Sequence, residues 1–162
     1  MIIRRSNKAD IDTIMSIYRS ARKFMCRNGN ETQWWDGYPP RELIEDDVDS
    51  NVGYVAEDNG EIVAVFAFFE NYNDPTYVNI YDGMWLNNEP YSVIHRIAVK
   101  YNGRGIAGKC IEYCAERSQN LKIDTHKDNL PMQRLLEKSG FKYCGIIHIS
   151  TGAKRIAYQK TQ

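Results

Sequence analysis

The amino-acid sequence predicts a single α/β (α+β) domain over residues 1–162, with a central mixed, mostly antiparallel sheet and helices on both faces. The chain has 162 residues, a length that fits one domain with a sizeable core. Some segments repeat apolar residues at three- and four-residue steps, as amphipathic helices do, and others are short apolar runs between turn residues, as strands are. Their order is a helical arm, antiparallel hairpins and one β-α-β-α passage, which favours helices packed on both faces of one sheet.

The N-terminal half begins with a short strand and an amphipathic helix. In this helix Ile11, Ile14 and Tyr18 recur at helical spacing, and Ser6 or Asn7 is placed to cap it. The elements predicted here are a strand from Ile2 to Arg5, the helix up to Asn28-Gly29-Asn30, a helix from Pro40 to Asp49, and strands Gly53–Glu57 and Glu61–Phe69 around the turn Asp58-Asn59-Gly60.

The C-terminal half opens with a segment, 71–90, that has no clear pattern. Within it, Thr76 to Ile80 is the best candidate for a strand, and Asn87 to Pro90 is a turn. The elements predicted after it are a strand Tyr91–Val99, a helix Arg104–Gln119, a strand Leu121–Thr125, a helix Leu130–Ser139, and a hairpin of Lys142–Ile149 and Arg155–Gln159 through Thr151-Gly152.

The charge balance bears on which partners the protein can have. Lys and Arg together number 21, as do Asp and Glu, so the formal net charge is zero. A neutral chain lacks the broad positive surface that binds nucleic acid or anionic membranes, so we expect neither as a partner. The N-terminal segment lacks the apolar stretch of a secretory signal, and the longest apolar run, Ile62 to Phe69, is too short to span a membrane. We therefore expect a soluble, cytoplasmic protein.

The four cysteines include no Cys-x-x-Cys pair. Cys110 and Cys114 stand one helical turn apart and could in principle help to bind a metal, but two buried apolar thiols are the simpler interpretation. We expect no metal site and, without a secretion signal, no disulfide.

Residues 102–109, Asn-Gly-Arg-Gly-Ile-Ala-Gly-Lys, follow a predicted strand and open a predicted helix. Glycine permits positive φ and a close approach to a ligand, and free N–H groups at a helix start attract an anion. Arg104 and Lys109 add positive charge, so a pyrophosphate is the natural ligand, although an ordinary tight turn also explains the glycines. The Cys110 that follows Gly108-Lys109 argues against a Walker P-loop, and the late position of the turn argues against a Rossmann fold.

These segments resemble the signature of the GNAT superfamily of N-acetyltransferases. That signature is a strand ending in an apolar-x-Val run, followed by Arg/Gln-x-x-Gly-x-Gly/Ala at the start of a helix. Ile97-Ala98-Val99 and residues 102–107 match it, with Asn102 where Arg or Gln is usual. Asp128 to Phe141 resembles the family's later motif, an Asn followed by a short helix that ends in a Lys/Gly-Phe step. The order of the predicted elements also fits the family.

The resemblance implies an acetyl-CoA site on the strand and turn. In the family this strand splays from its neighbour, and the pantetheine arm lies in the gap, where backbone groups of Ile97 and Val99 would pair with its amides. Backbone N–H groups of the turn would hold the pyrophosphate, and Asn129 would contact the coenzyme unless it is only a helix cap. The residues expected to bind acetyl-CoA are Ile97, Ala98, Val99, Asn102, Gly103, Arg104, Gly105, Ile106, Ala107, Gly108, Lys109 and Asn129.

His95 is the first candidate for the general base that deprotonates an acceptor amine. Strand alternation places it on the same face as Ile97, two residues away. An imidazole with an ordinary pKa of about 6.5 suits proton transfer near neutrality. Some arylalkylamine acetyltransferases of the family carry a histidine at the matching position. The alternative is a core histidine bonded to backbone.

Asp124 and His126 form a second candidate pair at the end of the next strand, where equal parity would let both reach one cleft. Asp124 is more easily read as a structural anchor that orients His126 or Arg96. Glu70, at the end of the apolar strand, is a third candidate for the amine pocket, although a solvated carboxylate is the simpler reading.

One departure from the family concerns the leaving group. Many members carry a Tyr in the helix of the second motif that protonates the departing thiolate, and the matching residue here is Leu136. Tyr143 or water would then serve, or the thiolate would leave unaided.

The aromatic loop with Trp34, Trp35 and Tyr38 stands where the family builds part of its acceptor site. It would either stack on the acceptor or seal the core between the first two helices. Its bulk favours a small-molecule amine over a protein N-terminus or lysine, and Leu136 leaves a non-catalytic acyl-CoA sensor as a further alternative. The acceptor and the oligomeric state, including a homodimer, are left open.

Overall fold

The computed structural model describes residues 1–162 and places seven strands in one sheet with helices on both sides. The strands are β1 (Ile2–Arg5), β2 (Gly53–Asp58), β3 (Glu61–Phe69), β4 (Ser92–Val99), β5 (Asn120–Thr125), β6 (Lys142–His148) and β7 (Lys154–Thr161). The helices are α1 (Ile11–Arg27), α2 (Arg41–Asp49), α3 (Ile106–Ala115) and α4 (Leu130–Lys138), with short 3-10 helices at Lys8–Asp10 and Pro75–Tyr77. No helix combines the length and the apolar character needed to cross a lipid bilayer.

The sheet has the strand order β1-β2-β3-β4-β5-β7-β6. All neighbouring pairs are antiparallel except β4 and β5, which are parallel because α3 carries the chain from one to the other. The predicted mixed, mostly antiparallel sheet is therefore confirmed.

Two helices cover each face of the sheet. On one, which we call the α1 face, apolar residues of α1 and α2 pack on β2, β3 and β4; these residues are Ile11, Ile14, Ile17, Tyr18 and Ile44 against Val55, Val65 and Ala98. On the other, the α3 face, residues of α3 and α4 pack on the central strands; these are Cys110, Ile111, Cys114 and Leu136 against Phe66, Phe68, Ile94 and Ile123. The predicted placement of helices on both faces is confirmed, and Cys110 and Cys114 are free buried thiols.

A β-bulge in β4 changes which side chains share a face. Ala67 of β3 lies opposite His95, but Val65 lies opposite Ala98, so two residues of β4 oppose one of β3. Arg96, within the bulge, has a positive φ of 55°. Because directly opposed residues share a face, His95 lies on the α1 face with Ala98, whereas Ile97 packs on the α3 face. The expectation that His95 and Ile97 share a face is wrong, since simple alternation fails across a bulge.

The bulge is held by contacts from α1 and α2. The Tyr18 hydroxyl donates to the carbonyl of Arg96 (2.8 Å), and the Arg96 guanidinium donates to both carboxylate oxygens of Asp47 (2.7 and 2.8 Å). Both partners of the ion pair are buried, with side chains only 10% and 9% exposed. The helices on the α1 face therefore fix the backbone of β4 where it departs from regular geometry.

β4 and β5 pair over only part of their length. The pairs run from Ser92 with Leu121 to Ile94 with Ile123, and none follows. Beyond Ile94 the strands separate, which leaves one backbone edge of residues 97–99 without a strand partner.

The segment between β3 and β4 differs from the prediction. Thr76 to Ile80 does not form a strand, because the Asp74 carboxylate accepts from the Thr76 N–H (2.8 Å) and Pro75 sets the first helical position, so a 3-10 helix forms. Pairing in this segment is confined to Tyr81, whose N–H and carbonyl bond to Ile146 of β6 (2.8 Å each).

Some predicted helix ends also shift. α3 spans Ile106–Ala115 rather than the predicted Arg104–Gln119, because Gly105 precedes it in a left-handed conformation (φ 71°). Pro40 precedes α2 as an extended cap and is not its first helical residue.

The buried ion pair behind the bulge gives a stability prediction. Asp47→Ala leaves the Arg96 charge buried and unpaired, so we expect the free energy of unfolding to fall by about 3–5 kcal/mol. Urea denaturation measures the change. The matched control is Asp46→Ala, which removes the neighbouring, exposed carboxylate of the same helix and should change stability little. Equal stability of the two variants would contradict this role of Asp47.

Candidate active site

A cavity of about 910 Å³ opens where β4 and β5 separate. Its walls come from β4, β5, the turn before α3, the start of α4, the end of α1 with the loop after it, and the β6–β7 loop. The predicted site residues that line it are Trp34, Trp35, Tyr38, His95, Ile97, Ala98, Val99, Asn102, Gly103, Gly105, Ile106, Ala107, Gly108, Asp124 and Asn129. Those that do not line it are Glu70, Arg104, Lys109, His126 and Tyr143.

The turn before α3 presents a row of free backbone donors. Gly103 and Gly105 have φ values of 77° and 71°, and a Cβ at either position would meet no atom within 4 Å. Their backbone conformation, not crowding, therefore requires glycine. None of the N–H groups from Gly103 to Gly108 donates a hydrogen bond within the chain, and the first helical bond runs from the Lys109 N–H to the Gly105 carbonyl (3.2 Å). Unpaired donors at a helix N-terminus form an anion site.

The two basic side chains of this turn point elsewhere. The Arg104 guanidinium stacks over the Tyr101 ring, 4.6 Å from its centre. The anion site therefore consists of backbone groups, with no lysine or arginine side chain from the turn lining the cavity.

Asn129 caps α4 at the edge of the cavity. Its side-chain oxygen accepts from the Met132 N–H (3.3 Å), and its amide donates to Gln33 Oε1 (2.9 Å). The cap that the sequence offered as an alternative is present, and the residue lines the cavity as well.

His95 is held by a carboxylate that the sequence analysis did not identify. His95 Nε2 lies 2.6 Å from Asp74 Oδ2, and the Thr76 N–H and hydroxyl donate to Asp74 Oδ1 (2.8 and 2.6 Å). Burial alone would raise the pKa of Asp74, but the hydrogen bonds from His95 and Thr76 outweigh it and hold the pKa below its usual value. An ionised carboxylate can only accept, so a neutral His95 ring carries its proton on Nε2, and Nδ1 is the nitrogen with the free lone pair.

Asp124 lies on the other side of the His95 ring. Its Oδ2 is 3.9 Å from His95 Nδ1, too far for a hydrogen bond, and accepts from the Tyr77 hydroxyl (2.7 Å). Burial raises the pKa of Tyr77 well above its usual value, so the phenol remains a donor. Asp124 is thus anchored by Tyr77, and the expectation that it orients His126 or Arg96 is wrong, because those two bond to other partners.

His126 turns away from the cavity. Its Nδ1 accepts from the Asp128 N–H (3.1 Å), and its Nε2 lies 3.2 Å from the Thr32 hydroxyl. Burial lowers the pKa of His126, and the nearby Arg155 charge lowers it further. Nε2 therefore joins the end of β5 to the loop after α1, while Nδ1 bonds within its own segment. The structure does not bring His126 to Asp124 in one cleft.

Three other candidates also stand apart. Glu70 is exposed at the end of β3. Tyr143 is 52% exposed on β6, a strand at the sheet edge, with its ring against Tyr158 (5.9 Å). Leu136, which replaces the family's Tyr, is fully buried in the core of the α3 face. No phenol from α4 or β6 therefore lines the cavity.

The aromatic loop seals the core, which is one of the two roles that the sequence left open, and it also lines the cavity. Trp34 packs edge-on against Tyr18 (5.7 Å) and adjoins the core of the α1 face. Trp35 is 58% exposed, and Tyr38 lies beside both tryptophan rings (5.9 and 5.8 Å). All three rings line the cavity. Trp34 therefore packs on the core, and the three residues together form one wall of the cavity.

Several cavity residues were not among the candidates predicted from the sequence, and those that bear on the chemistry are Asp74, Thr76, Thr125 and Arg155. The Asp-Pro step at 74–75 is a helix-start signal in the sequence. It does not reveal that the Asp74 carboxylate contacts His95. Thr125 Oγ1 is buried with no hydrogen-bond partner. Its pairing with Ile156 places it on the α3 face, near the start of α4.

Two features of this site occur together. β4 and β5 separate within the sheet, and the turn before α3 presents unpaired N–H groups at the start of a helix. This combination is typical of proteins that bind a phosphate-bearing ligand between two strands. Residues 13–141 match the model of the acetyltransferase (GNAT) family. The chain belongs to the GNAT acetyltransferase family.

Several solved structures share the fold, and one that is 33% identical supports this assignment. A GNAT-family acetyltransferase from Streptococcus agalactiae is 33% identical, with a TM-score of 0.90 over 99% of this chain and 95% of that one. An acetyltransferase from Staphylococcus aureus is 25% identical, with a TM-score of 0.72 over 99% of both chains. An acetyltransferase from Salmonella typhimurium, solved with its cofactor acetyl-CoA, is 16% identical, with a TM-score of 0.67 over 99% of this chain and 93% of that one. No curated protein matches the chain.

The unpartnered Thr125 hydroxyl gives a prediction for the protein without ligand. Thr125→Val removes a buried polar group that makes no hydrogen bond, so we expect the free energy of unfolding to rise by about 1 kcal/mol. Thr125→Ser keeps the hydroxyl and serves as the control, so its free energy of unfolding should not rise. Chemical denaturation compares the variants, and a Val variant less stable than the native protein would show that the hydroxyl is satisfied.

Proposed function

We propose that the protein transfers an acetyl group from acetyl-CoA to an amine of a small molecule by direct attack of the amine on the thioester. The observation that carries the proposal is one continuous cavity. It joins the free N–H groups of the turn before α3, the open edge of β4 and the His95–Asp74 pair. An anion site, a strand edge and an oriented base are the three parts that this reaction needs from a protein.

The donor fits the α3 side of the cavity. Backbone N–H groups of Gly103–Gly108 would hold the pyrophosphate, and the open edge of Ile97–Val99 would pair with the amides of the pantetheine arm. Asn129 lines the same region, and the Salmonella relative is described with acetyl-CoA. Acetyl-CoA supplies the activated acyl group as a thioester.

The base lies on the α1 side. His95 Nδ1 would take the proton of the incoming amine, while Asp74 holds Nε2–H and stabilises the imidazolium that forms. The gap of 3.9 Å between His95 Nδ1 and Asp124 Oδ2 places a negative charge beside the position of the amine. Tyr77 keeps the Asp124 carboxylate pointing at this gap.

The departing sulfur needs another partner than the family's Tyr, because Leu136 is buried and Tyr143 lies outside the cavity. Thr125 lines the cavity on the α3 face, and its buried hydroxyl has no hydrogen-bond partner in the chain. We infer that this hydroxyl donates a hydrogen bond to acetyl-CoA when the ligand is bound. Apart from this contact, the thiolate leaves unaided.

The shape of the acceptor end favours a small molecule. The loop with Trp34 and Trp35 is tied down by Gln33, which accepts from Asn129 and, through its carbonyl, from Arg155 (2.7 Å). A wall tied to both β7 and α4 leaves less room for an extended peptide than an open groove would.

Substitutions at His95 and Asp74 test the acid–base assignment. We expect His95→Ala to lower kcat by about tenfold or more, because proton transfer by a positioned base contributes at least that much. Asp74→Asn should also lower kcat, since the amide no longer fixes the tautomer. Both variants should keep their affinity for coenzyme A. Release of free thiol from acetyl-CoA on a panel of amines measures the rates.

Glu70→Gln is the matched control for these variants, because it removes a carboxylate outside the cavity and should leave kcat unchanged. An unchanged kcat in His95→Ala would remove His95 from the mechanism. Coenzyme binding without turnover of any amine or peptide would instead favour the non-catalytic sensor.

Gly105→Ala tests the anion site. Gly60, in the β2–β3 turn, has nearly the same φ (78° against 71°) and equally open surroundings. Alanine at either position should cost about 1–2 kcal/mol of stability, because both require a left-handed backbone. Only Gly105→Ala should also weaken the binding of coenzyme A, measured by calorimetry. Equal affinities in the two variants would exclude the turn from the coenzyme site.

A further inference from the structure

Arg155 is a buried cation in the cavity wall that forms no close ion pair with a carboxylate. The residue is 7% exposed and lines the cavity. Its guanidinium donates to the carbonyls of Gln33 (2.7 Å) and Lys154 (3.0 Å), and no carboxylate oxygen lies within 4 Å of it. Burial lowers the pKa of Arg155, but an arginine stays charged. Buried charges in proteins are normally paired, so this one calls for a partner.

The other charges of the cavity are accounted for, with one exception. Arg96 is paired with Asp47, and Asp74 with His95. The exception is Asp124, whose hydrogen-bond partner, Tyr77, is neutral. The cavity therefore holds one carboxylate and one guanidinium that each lack a hydrogen-bonded ionic partner.

These two groups lie on the same face of the sheet. Asp124 is opposite Ala157 in the β5–β7 pair, and Arg155 lies two residues further along β7. Diagonal positions on paired strands lie roughly 7–8 Å apart, and Asp124 and Arg155 form no ion pair within 4 Å. The space between them suits a molecule that carries both charges.

The coenzyme is not the missing partner of Arg155. Its phosphates would bind at the start of α3, on the α3 face. Ile156 and Tyr158 of β7 pack on that face, so the alternate residues Arg155 and Ala157 lie on the α1 face.

We propose that Arg155 binds a carboxylate of the acceptor, which is then an amino acid or a closely related molecule with amino and carboxylate groups a few bonds apart. This inference rests on the proposed acetyl transfer. The amino group would lie between His95 and Asp124, and the carboxylate would accept the guanidinium N–H groups that the two carbonyls leave free. The two carbonyl contacts hold the guanidinium in a fixed plane, which favours a bidentate contact.

The competing explanation is that Arg155 only ties the aromatic loop to β7 through Gln33. The chain offers a matched control for this role in Arg22, which donates to the carbonyl of Tyr38 in the same loop (2.6 Å) and does not line the cavity. Arg22→Gln removes a loop tether of the same chemistry without touching the cavity.

The test compares free amino acids with their carboxamides as acceptors. Thiol release gives kcat/KM for each pair in the native protein and in Arg22→Gln, Arg155→Lys and Arg155→Gln. We expect the native protein and Arg22→Gln to prefer the carboxylates by about tenfold or more, because a site built for a charged group rejects the neutral analogue. Arg155→Gln should lose the preference, and Arg155→Lys should keep part of it. The affinity for coenzyme A checks that the variants are folded.

A native protein that uses acids and amides equally overturns the proposal, as does an Arg155→Gln variant that keeps the preference. If no acceptor is turned over, calorimetry with the same pairs on the protein loaded with coenzyme A decides. Carboxylate-selective binding that Arg155→Gln abolishes supports the proposal even though acetyl transfer has failed, and its absence overturns it. If Arg155→Gln does not fold, the native protein and Arg155→Lys provide the same comparison.

Discussion

The irregular backbone of β4 is the constraint on which the site depends. A strand that paired with β5 along its whole length would leave no opening in the sheet. The bulge at Arg96 turns β4 away, and its geometry is maintained by the Tyr18 hydroxyl and the Asp47 carboxylate. A positive φ in a non-glycine residue costs energy, so the buried ion pair and the hydrogen bond on the α1 face stabilise a conformation that the sequence alone disfavours.

The bulge also separates two tasks across the sheet. The α3 face carries the free N–H groups, Thr125 and Asn129, all suited to a coenzyme. The α1 face carries His95 and the charged groups around it. A single strand can serve both because the extra residue lets His95 and Ile97 point to opposite sides. In the proposed reaction, the donor and the acceptor would therefore approach the reacting position from opposite faces of the sheet.

Features that depend on contacts between residues close in sequence could be predicted, whereas features that depend on contacts between distant residues could not. The turn before α3 was found because glycine spacing and a helix start act over a few residues. His95 was found by its residue type, but its face was wrong because a bulge is invisible to alternation. Asp74 went unnoticed because its contact to His95 joins residues 21 apart, through a segment with no periodic pattern. His126 has the right chemistry, yet hydrogen bonds to Thr32 and Asp128 turn it into a structural residue.

Gln33 connects the two ends of the cavity. Its side-chain oxygen accepts from Asn129, which caps α4 on the side proposed for the coenzyme, and its backbone carbonyl accepts from Arg155 on the side proposed for the acceptor. A mutation that reshapes the loop for a new acceptor would therefore disturb the cap of α4 as well. If this wall contacts the acceptor as proposed, specificity would change more easily through the exposed Trp35 than through the residues beside it. Trp35 forms part of the wall, but its side chain does not connect the loop to another element.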